Sequence, residues 1–340
     1  MIDTRDPDGL GQGDEVTAAK AAPPGRRRRR GLRIALVSLA SATLLLGVAA
    51  AGSYSYVNQE VGNIPRIPVM FLTPDDSHGG MTILLTDSQV GPTGRSGAPQ
   101  AADEAGLIML LHLNANRSSG GVVALPPQAE VNVPGYGTMP LSNVMAVGGP
   151  SLLTRTLRDL TGVPINHYAR IDFNHVASVV DALRGVSVTL PKTTVSFGHV
   201  FWRGVNHIDG ADAVKYARQP SLTETGRVLR QGSLMRSVLR RLSAVHFLTH
   251  PWTLTRVLNA LTSMLTVDST FTNSEILREA THLGGLTSSR STFITAPTET
   301  VGGSVVLDPA ESRALWSAIK NGSLAWFARK YPCTVTPAAP

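Results

Sequence analysis

The feature that most constrains this chain is the uncharged segment Ile34–Gly52, which follows directly on the unbroken basic run Arg26 to Arg30. As a helix at 1.5 Å per residue it would span roughly 28 Å, close to the hydrocarbon thickness of a bilayer. Ser38, Ser41 and Thr43 do not veto insertion, because their hydroxyls can bond back to the helix backbone. The arginines lie on the N-terminal side, so the positive-inside rule keeps residues 1–33 in the cytoplasm as a disordered basic tail. Everything after the 34–54 transmembrane helix is then expected outside the cell membrane. A cleaved leader is the rival reading, with Ala49-Ala50-Ala51 as a small-residue cleavage site. The net charge of +7 is concentrated in the arginine run. A nucleic-acid partner would need a basic face on the folded domain itself, and none is expected. The single cysteine, Cys333, excludes an intrachain disulfide and a thiolate metal site.

Beyond the apolar segment, Pro65, Pro68 and Pro74 suggest an extended linker over 55–80. Period and composition then predict strands at Thr82–Leu85, Leu107–Leu113, Gly121–Leu125, Ile165–Ile171 and Val186–Leu190. Helices are predicted over Leu141–Leu160, broken at Gly148-Gly149-Pro150, and over Phe173–Leu183, Ala211–Arg218 and Gly226–Ala244. Alternating strands and helices indicate an α/β domain, a central sheet covered by helices. Its main part is assigned to 81–245, with 246–331 as a C-terminal part of the same domain and 332–340 as a tail.

Familiar catalytic signatures are missing: the sequence has no P-loop, no G-x-S-x-G and no H-E-x-x-H. His246 and His250 have helical spacing, but no third ligand accompanies them and Pro251 breaks the helix there. The informative cluster is basic. Arg227, Arg230 and Gln231 stand at i, i+3 and i+4, which on a helix puts them on one face, with Arg218 arriving from the preceding segment. Guanidinium forks grip phosphate oxygens bidentately and stay charged, so such a face can cradle a phosphate or pyrophosphate. The alternative is a solvated basic face, the reading given to Arg236, Arg240 and Arg241.

Several stretches, taken in order, resemble the LytR-CpsA-Psr (LCP) family: ILLTDSQ at 83–89, IMLLHLN at 108–114, VPGYG at 133–137 and GGPSLLTRTLRDLTGVPINHYARIDF at 148–173. VVDALRGVSVTLP at 179–191, NHIDGADAVKYARQ at 206–219 and GRVLRQ at 226–231 continue the resemblance. It implies an α-β-α domain with a central mixed sheet and a hydrophobic lipid pocket. It implies an activity too: transfer of a glycopolymer from a polyprenyl-pyrophosphate carrier to peptidoglycan, at the membrane. Arg218, Arg227, Arg230 and Gln231 would face the pyrophosphate, and Asp87 matches a family aspartate that binds Mg²⁺. Asp87, Arg218 and Arg227 are the implied catalytic residues.

The departures from the family pattern fall on polar positions. Gln89 stands where the family usually has Arg, and Glu104-Ala105-Gly106-Leu107 replaces Arg-x-Asp-Thr. Pro126-Pro127-Gln128 replaces Pro-Arg-Asp, Pro140-Leu141-Ser142 replaces Lys-Ile-Asn, and Pro220 replaces a second Arg. Two functions are therefore carried forward: a divergent phosphotransferase, or a catalytically weak paralogue that binds the pyrophosphate lipid or regulates an active relative.

Overall fold

The computed structural model describes residues 55–75, 80–87, 106–116, 119–172, 175–219, 224–244, 251–283 and 291–332, and in helix 224–244 the Arg227 side chain is outside the description. Ile34–Gly52, Gln89, Glu104, Pro220, His246, His250 and Cys333 also lie outside the described residues. Among the described residues no helix is long and apolar enough to cross a membrane.

In chain order the elements begin with β1 (Arg66–Ile67), β2 (Met81–Asp87), β3 (Ile108–Leu113), β4 (Gly120–Leu125), β5 (Glu130–Val133), β6 (Gly137–Pro140) and helix α1 (Leu141–Thr161). Next come β7 (His167–Ile171), α2 (Val176–Ala182), β8 (Val186–Leu190), β9 (Thr194–Ser196), β10 (His199–Phe201), β11 (Gly204–Ile208), α3 (Gly210–Ala217) and α4 (Glu224–Ala244). The C-terminal part supplies α5 (Pro251–Met264), β12 (Leu265–Asp268), α6 (Asn273–Leu283), β13 (Ser291–Thr295), β14 (Thr298–Val301), β15 (Ser304–Leu307), α7 (Pro309–Lys320) and α8 (Leu324–Lys330).

Seven strands form the main sheet in the order β1-β12-β7-β2-β3-β4-β13. It is mixed: β2 pairs with β7 and β4 with β13 in parallel, while β3 runs antiparallel to both β2 and β4. Every residue of β3 and β4 is buried. That explains their unbroken apolar sequences, since a central strand covered on both faces has no polar side to alternate with. One face (Met81, Ile83, Met109, Leu111) packs against α2, α3, α4 and α5. The other face (Leu84, Ile108, Leu110) packs against α1, α7 and α8. Each fully covered Leu or Ile contributes about 1.5–3 kcal/mol, so these two layers hold the sheet in place.

The expected break in the first long helix is present. Gly148 and Gly149 have non-helical backbone angles and Pro150 restarts the helix. The expected linker is structured in part: residues 55–62 are helical, and β1 pairs with β12 in parallel. The prolines in this stretch remain compatible with so short an edge strand. The C-terminal part does more than add a layer. It inserts β12 between β1 and β7 and closes the other edge with β13.

Candidate phosphate-binding site

Strand direction gathers the polar candidates at one end of the sheet. β2, β4 and β7 all finish there and β3 begins there. Asp87 is the last residue of β2 and is buried at 4% exposure. Its Oδ1 accepts a 2.7 Å hydrogen bond from the Leu107 amide, which fixes the carboxylate at the mouth of β3. One of its oxygens is thus already engaged. Among the described residues no group of three or more His, Cys, Asp or Glu side chains is placed to hold a metal ion. A cation at Asp87 would therefore lack a cage of protein side chains among the described residues and would need substrate oxygens and water for the rest of its shell.

The basic helix α4 is brought over this end by close packing. A Cβ on Gly232 would lie 3.6 Å from Met109 Cε, and Met109 is registered opposite Leu85, two residues before Asp87. Two elements steer the neighbouring α3. Asp209 caps it, accepting from the Asp212 amide at 2.9 Å. Gly210 lets it touch α2: an added Cβ would stand 2.3 Å from the Ala177 carbonyl oxygen, while the Gly210 amide donates to Asp181 Oδ1 at 2.8 Å. The Asp-Gly pair in NHIDGADAVKYARQ is therefore a packing device. It sets the position of Tyr216 and, at the end of the helix, Arg218.

Arg230 is the best-defined cation of the site. Its guanidinium carbon lies 4.6 Å from the centroid of the Tyr216 ring, and its Nη2 donates to Thr194 Oγ1 at 3.4 Å. The other terminal nitrogen, Nη1, is buried and has no hydrogen-bond partner among the described residues. Beside it, Gln231 is 3% exposed and its Oε1 is likewise buried without a partner. Burial pulls the Arg230 pKa down from its usual value, and the neighbouring Tyr216 partly restores it. Burial raises the Tyr216 pKa, opposed by a hydrogen bond with Ser233 and by the Arg230 charge.

The structure thus brings Arg230 and Gln231 together on the inner side of α4, as their spacing predicted. Arg218 closes α3 and is exposed. Arg227 shares the helix, and its side chain lies outside the described residues. Arg236 corrects the sequence reading, which placed it on a solvated face. Its guanidinium carbon stacks 4.1 Å from the centroid of the Phe293 ring on β13. Burial, then the nearby Arg240 charge, lowers its pKa to about 10. Tyr216 and Thr194 were missed as partners of the cradle. Tyr216 lay inside the quoted motif, so its position was available, but its contact with Arg230 is made only by tertiary packing.

Two of the segments that depart from the family pattern meet in space. Pro126-Pro127-Gln128 follows β4, and the Ser142 amide donates to the Pro127 carbonyl at 2.8 Å. The Leu141 amide donates to Ala129 at 3.0 Å, so the two substituted segments are stapled together. Gln128 Oε1 is buried there without a partner among the described residues. Among the described residues, a small apolar cleft lies beside the basic helix α4. Val176, Val179, Leu234, Met235, Val238 and Met264 line this cleft between α2, α4 and the end of α5, with room for about one water molecule.

A three-layer α-β-α domain with a mixed sheet, its half-buried cation above one end, is the class of protein that these elements define. The LytR_cpsA_psr family profile matches residues 54–319, and the chain belongs to that family. "Probable cell wall biosynthesis protein LcpB" of Corynebacterium glutamicum is 27% identical over 254 residues, 73% of this chain and 60% of LcpB. The chain thus spans less than two thirds of the length of that relative. "Polyisoprenyl-teichoic acid--peptidoglycan teichoic acid transferase TagU" of Bacillus cereus is 26% identical over 215 residues, 60% of this chain and 71% of TagU. Among solved structures, the LytR-Csp2A-Psr enzyme from Actinomyces oris superposes with a TM-score of 0.60 at 20% identity, covering 76% of this chain and 96% of that one. That last likeness concerns the fold.

Proposed function

We propose that this chain is a membrane-anchored phosphotransferase that moves a glycopolymer from a polyprenyl-pyrophosphate carrier to peptidoglycan. The observation that carries the reading is Arg230: a guanidinium held over Tyr216, half-buried, with one nitrogen unpartnered among the described residues. A buried polar group without a partner is costly, and a phosphate oxygen would satisfy it with a charge-assisted bond. The name of the relative TagU supports the chemical class, a polyisoprenyl-linked polymer passed to peptidoglycan. The segment Ile34–Gly52 supports the anchor, with the N-terminus in the cytoplasm and the domain outside.

In this reading the acceptor oxygen bonds to the phosphorus nearest the sugar, the bridging P–O bond breaks, and polyprenyl phosphate leaves. Arg230, Gln231, Arg227 and Arg218 orient the diphosphate and offset its charge, which is the main catalytic demand of such a transfer. Asp87 would hold Mg²⁺, which neutralises charge building on the leaving group.

A second reading, a binding or regulatory paralogue with little turnover, is favoured by one observation. The stapled segments Pro126–Gln128 and Pro140–Ser142 carry no cation, where the family pattern has Arg and Lys. The test is to incubate the full-length protein with a polyprenyl-pyrophosphate glycan, peptidoglycan fragments and Mg²⁺, and to measure released polyprenyl phosphate. Release that stops with Asp87→Ala supports the transferase. Binding without release supports the paralogue. Absence of binding defeats both.

A further inference from the structure

Five of the twelve exposed large hydrophobic side chains among the described residues fall within one short stretch: Val195, Phe197, Val200, Trp202 and Val205. They belong to the β9–β10 hairpin, the segment after it and the start of β11. The hairpin places Val195 directly opposite Val200 on its outer side, while Ser196 and Phe201 face inward and are buried. Phe197 and Gly198 form its two-residue turn, both with positive φ, at 46° and 76°. That turn normally selects Asn-Gly, because a short polar side chain eases the left-handed backbone. Phenylalanine gives no such help, and its ring is 62% exposed, so folding gains nothing from it here. A local rule broken without any packing return marks a functional position.

Hydrogen bonds fix the base of the hairpin and the loop that follows it. The Trp202 amide donates to Asn206 Oδ1 at 2.9 Å, and Asn206 Nδ2 returns a bond to the Trp202 carbonyl at 2.8 Å. Ser196 Oγ ties the hairpin to α3 through the Lys215 carbonyl at 2.7 Å. Trp202 is thereby displayed at 66% exposure on a clamped loop. Charge accompanies it: residues 191–208 contain Lys192 and Arg203, both exposed, and no Asp or Glu, while the neighbouring Asp212 on α3 is engaged by His199 of the hairpin at 3.1 Å and by Lys215 at 2.9 Å.

We propose that this hairpin is a bilayer-contacting wedge, which lays Val195, Phe197 and Trp202 into the headgroup–acyl boundary while Lys192 and Arg203 meet anionic headgroups. Aromatic and aliphatic side chains flanked by cations are the composition that settles at that depth. The wedge adjoins the cradle, since β9 supplies Thr194, the hydrogen-bond partner of Arg230. Its consequence is specific: a lipid-borne diphosphate would reach Arg230 with its tail still in the membrane. The idea rests on the membrane-anchored reading only in requiring the domain beside a bilayer.

The experiment uses full-length protein reconstituted into carrier-free vesicles of phosphatidylcholine and phosphatidylglycerol with brominated acyl chains. Tryptophan quenching by these lipids is expected to fall at least twofold in Trp202→Phe and to be unchanged in Trp326→Phe, which removes another exposed indole. Phe197→Ser, with Trp202 intact, should reduce it as well. Equal quenching with and without Trp202 overturns the wedge while leaving the transferase reading standing. So does protection of Trp202 from an aqueous quencher by glycan fragments without vesicles, which would make it a sugar platform. Failure of the protein to co-float with vesicles overturns both the wedge and the anchored reading.

Discussion

Two polar sites beside the central sheet, Asp268 and the Arg230 cradle, treat buried polar groups in opposite ways. At the end where β12 finishes, Asp268 is fully buried and accepts five hydrogen bonds, from His167 Nδ1, the Tyr168 amide, the Thr270 amide and hydroxyl, and the Phe271 amide. The His167 ring stacks on Phe271 with centroids 3.9 Å apart. By contrast, Arg230 Nη1, Gln231 Oε1 and Gln128 Oε1 are buried without partners among the described residues. His167 Nε2 also lacks one among the described residues, but it belongs to the buried ring, 3% exposed and stacked on Phe271, that serves Asp268. A saturated carboxylate belongs to the architecture. Unsaturated donors and acceptors beside a cation belong to whatever is bound.

This contrast can be broken in four ways, the strongest first. Removing the charge of Asp268 in Asp268→Asn should lower folding stability by about 3–5 kcal/mol, the usual result of orphaning one member of a buried pair. Transfer activity per folded molecule should be unchanged, as read by denaturant melts beside the release assay. Burial would raise the Asp268 pKa, but hydrogen bonds from His167, Thr270 and Tyr168 outweigh it and bring the value below normal. Its stabilisation is therefore complete above the unfolded value of ~3.9 and is lost as pH falls through the folded one. Melting temperatures between pH 6 and 3 should fall in wild type and flatten in the variant.

At the cradle the expectation reverses. Arg230→Ala should reduce polyprenyl phosphate release by ~10²–10³-fold while leaving the fold intact. Arg230→Lys should recover little of it, because an ammonium lacks the planar fork that Tyr216 and Thr194 position. Gly210→Ala probes the device that sets α3 in place. Its methyl group collides with the Ala177 carbonyl, so a loss of about 1–3 kcal/mol is expected in thermal or denaturant unfolding. The smallest effect is the most diagnostic. Gln231→Leu should leave stability unchanged or raise it by up to ~1 kcal/mol, because a partnerless buried amide disappears. The same change should weaken carrier-lipid binding by about tenfold, measured by titration. A fall in stability with binding intact would assign Gln231 to the core and remove the contrast.

The sequence carried the layered fold well wherever one segment determined its own structure. The apolar runs of β2, β3 and β4, the glycine break in α1 and the strand Val186–Leu190 could all be read directly. What escaped depends on partners far along the chain. β1 is a two-residue strand that exists only because β12, some two hundred positions later, lies beside it. Arg236 reads as one more surface arginine until Phe293 is placed under it. Arg230 and Gln231 were found through helical spacing, whereas Thr194 and Tyr216 could not be linked to them, because no period in the sequence joins a hairpin, a short helix and a long one.

The threading of β12 into the interior of the sheet has a consequence for how this chain is made. A ribosome that has released everything through Ala244 has produced a sheet with β7 raw on one side and β4 raw on the other. Both then present unpaired backbone edges of the kind that recruit stray strands. Completion waits for Thr295, so the domain folds late and as a unit, and a fragment stopped short of that point would aggregate rather than persist as a smaller version of the whole.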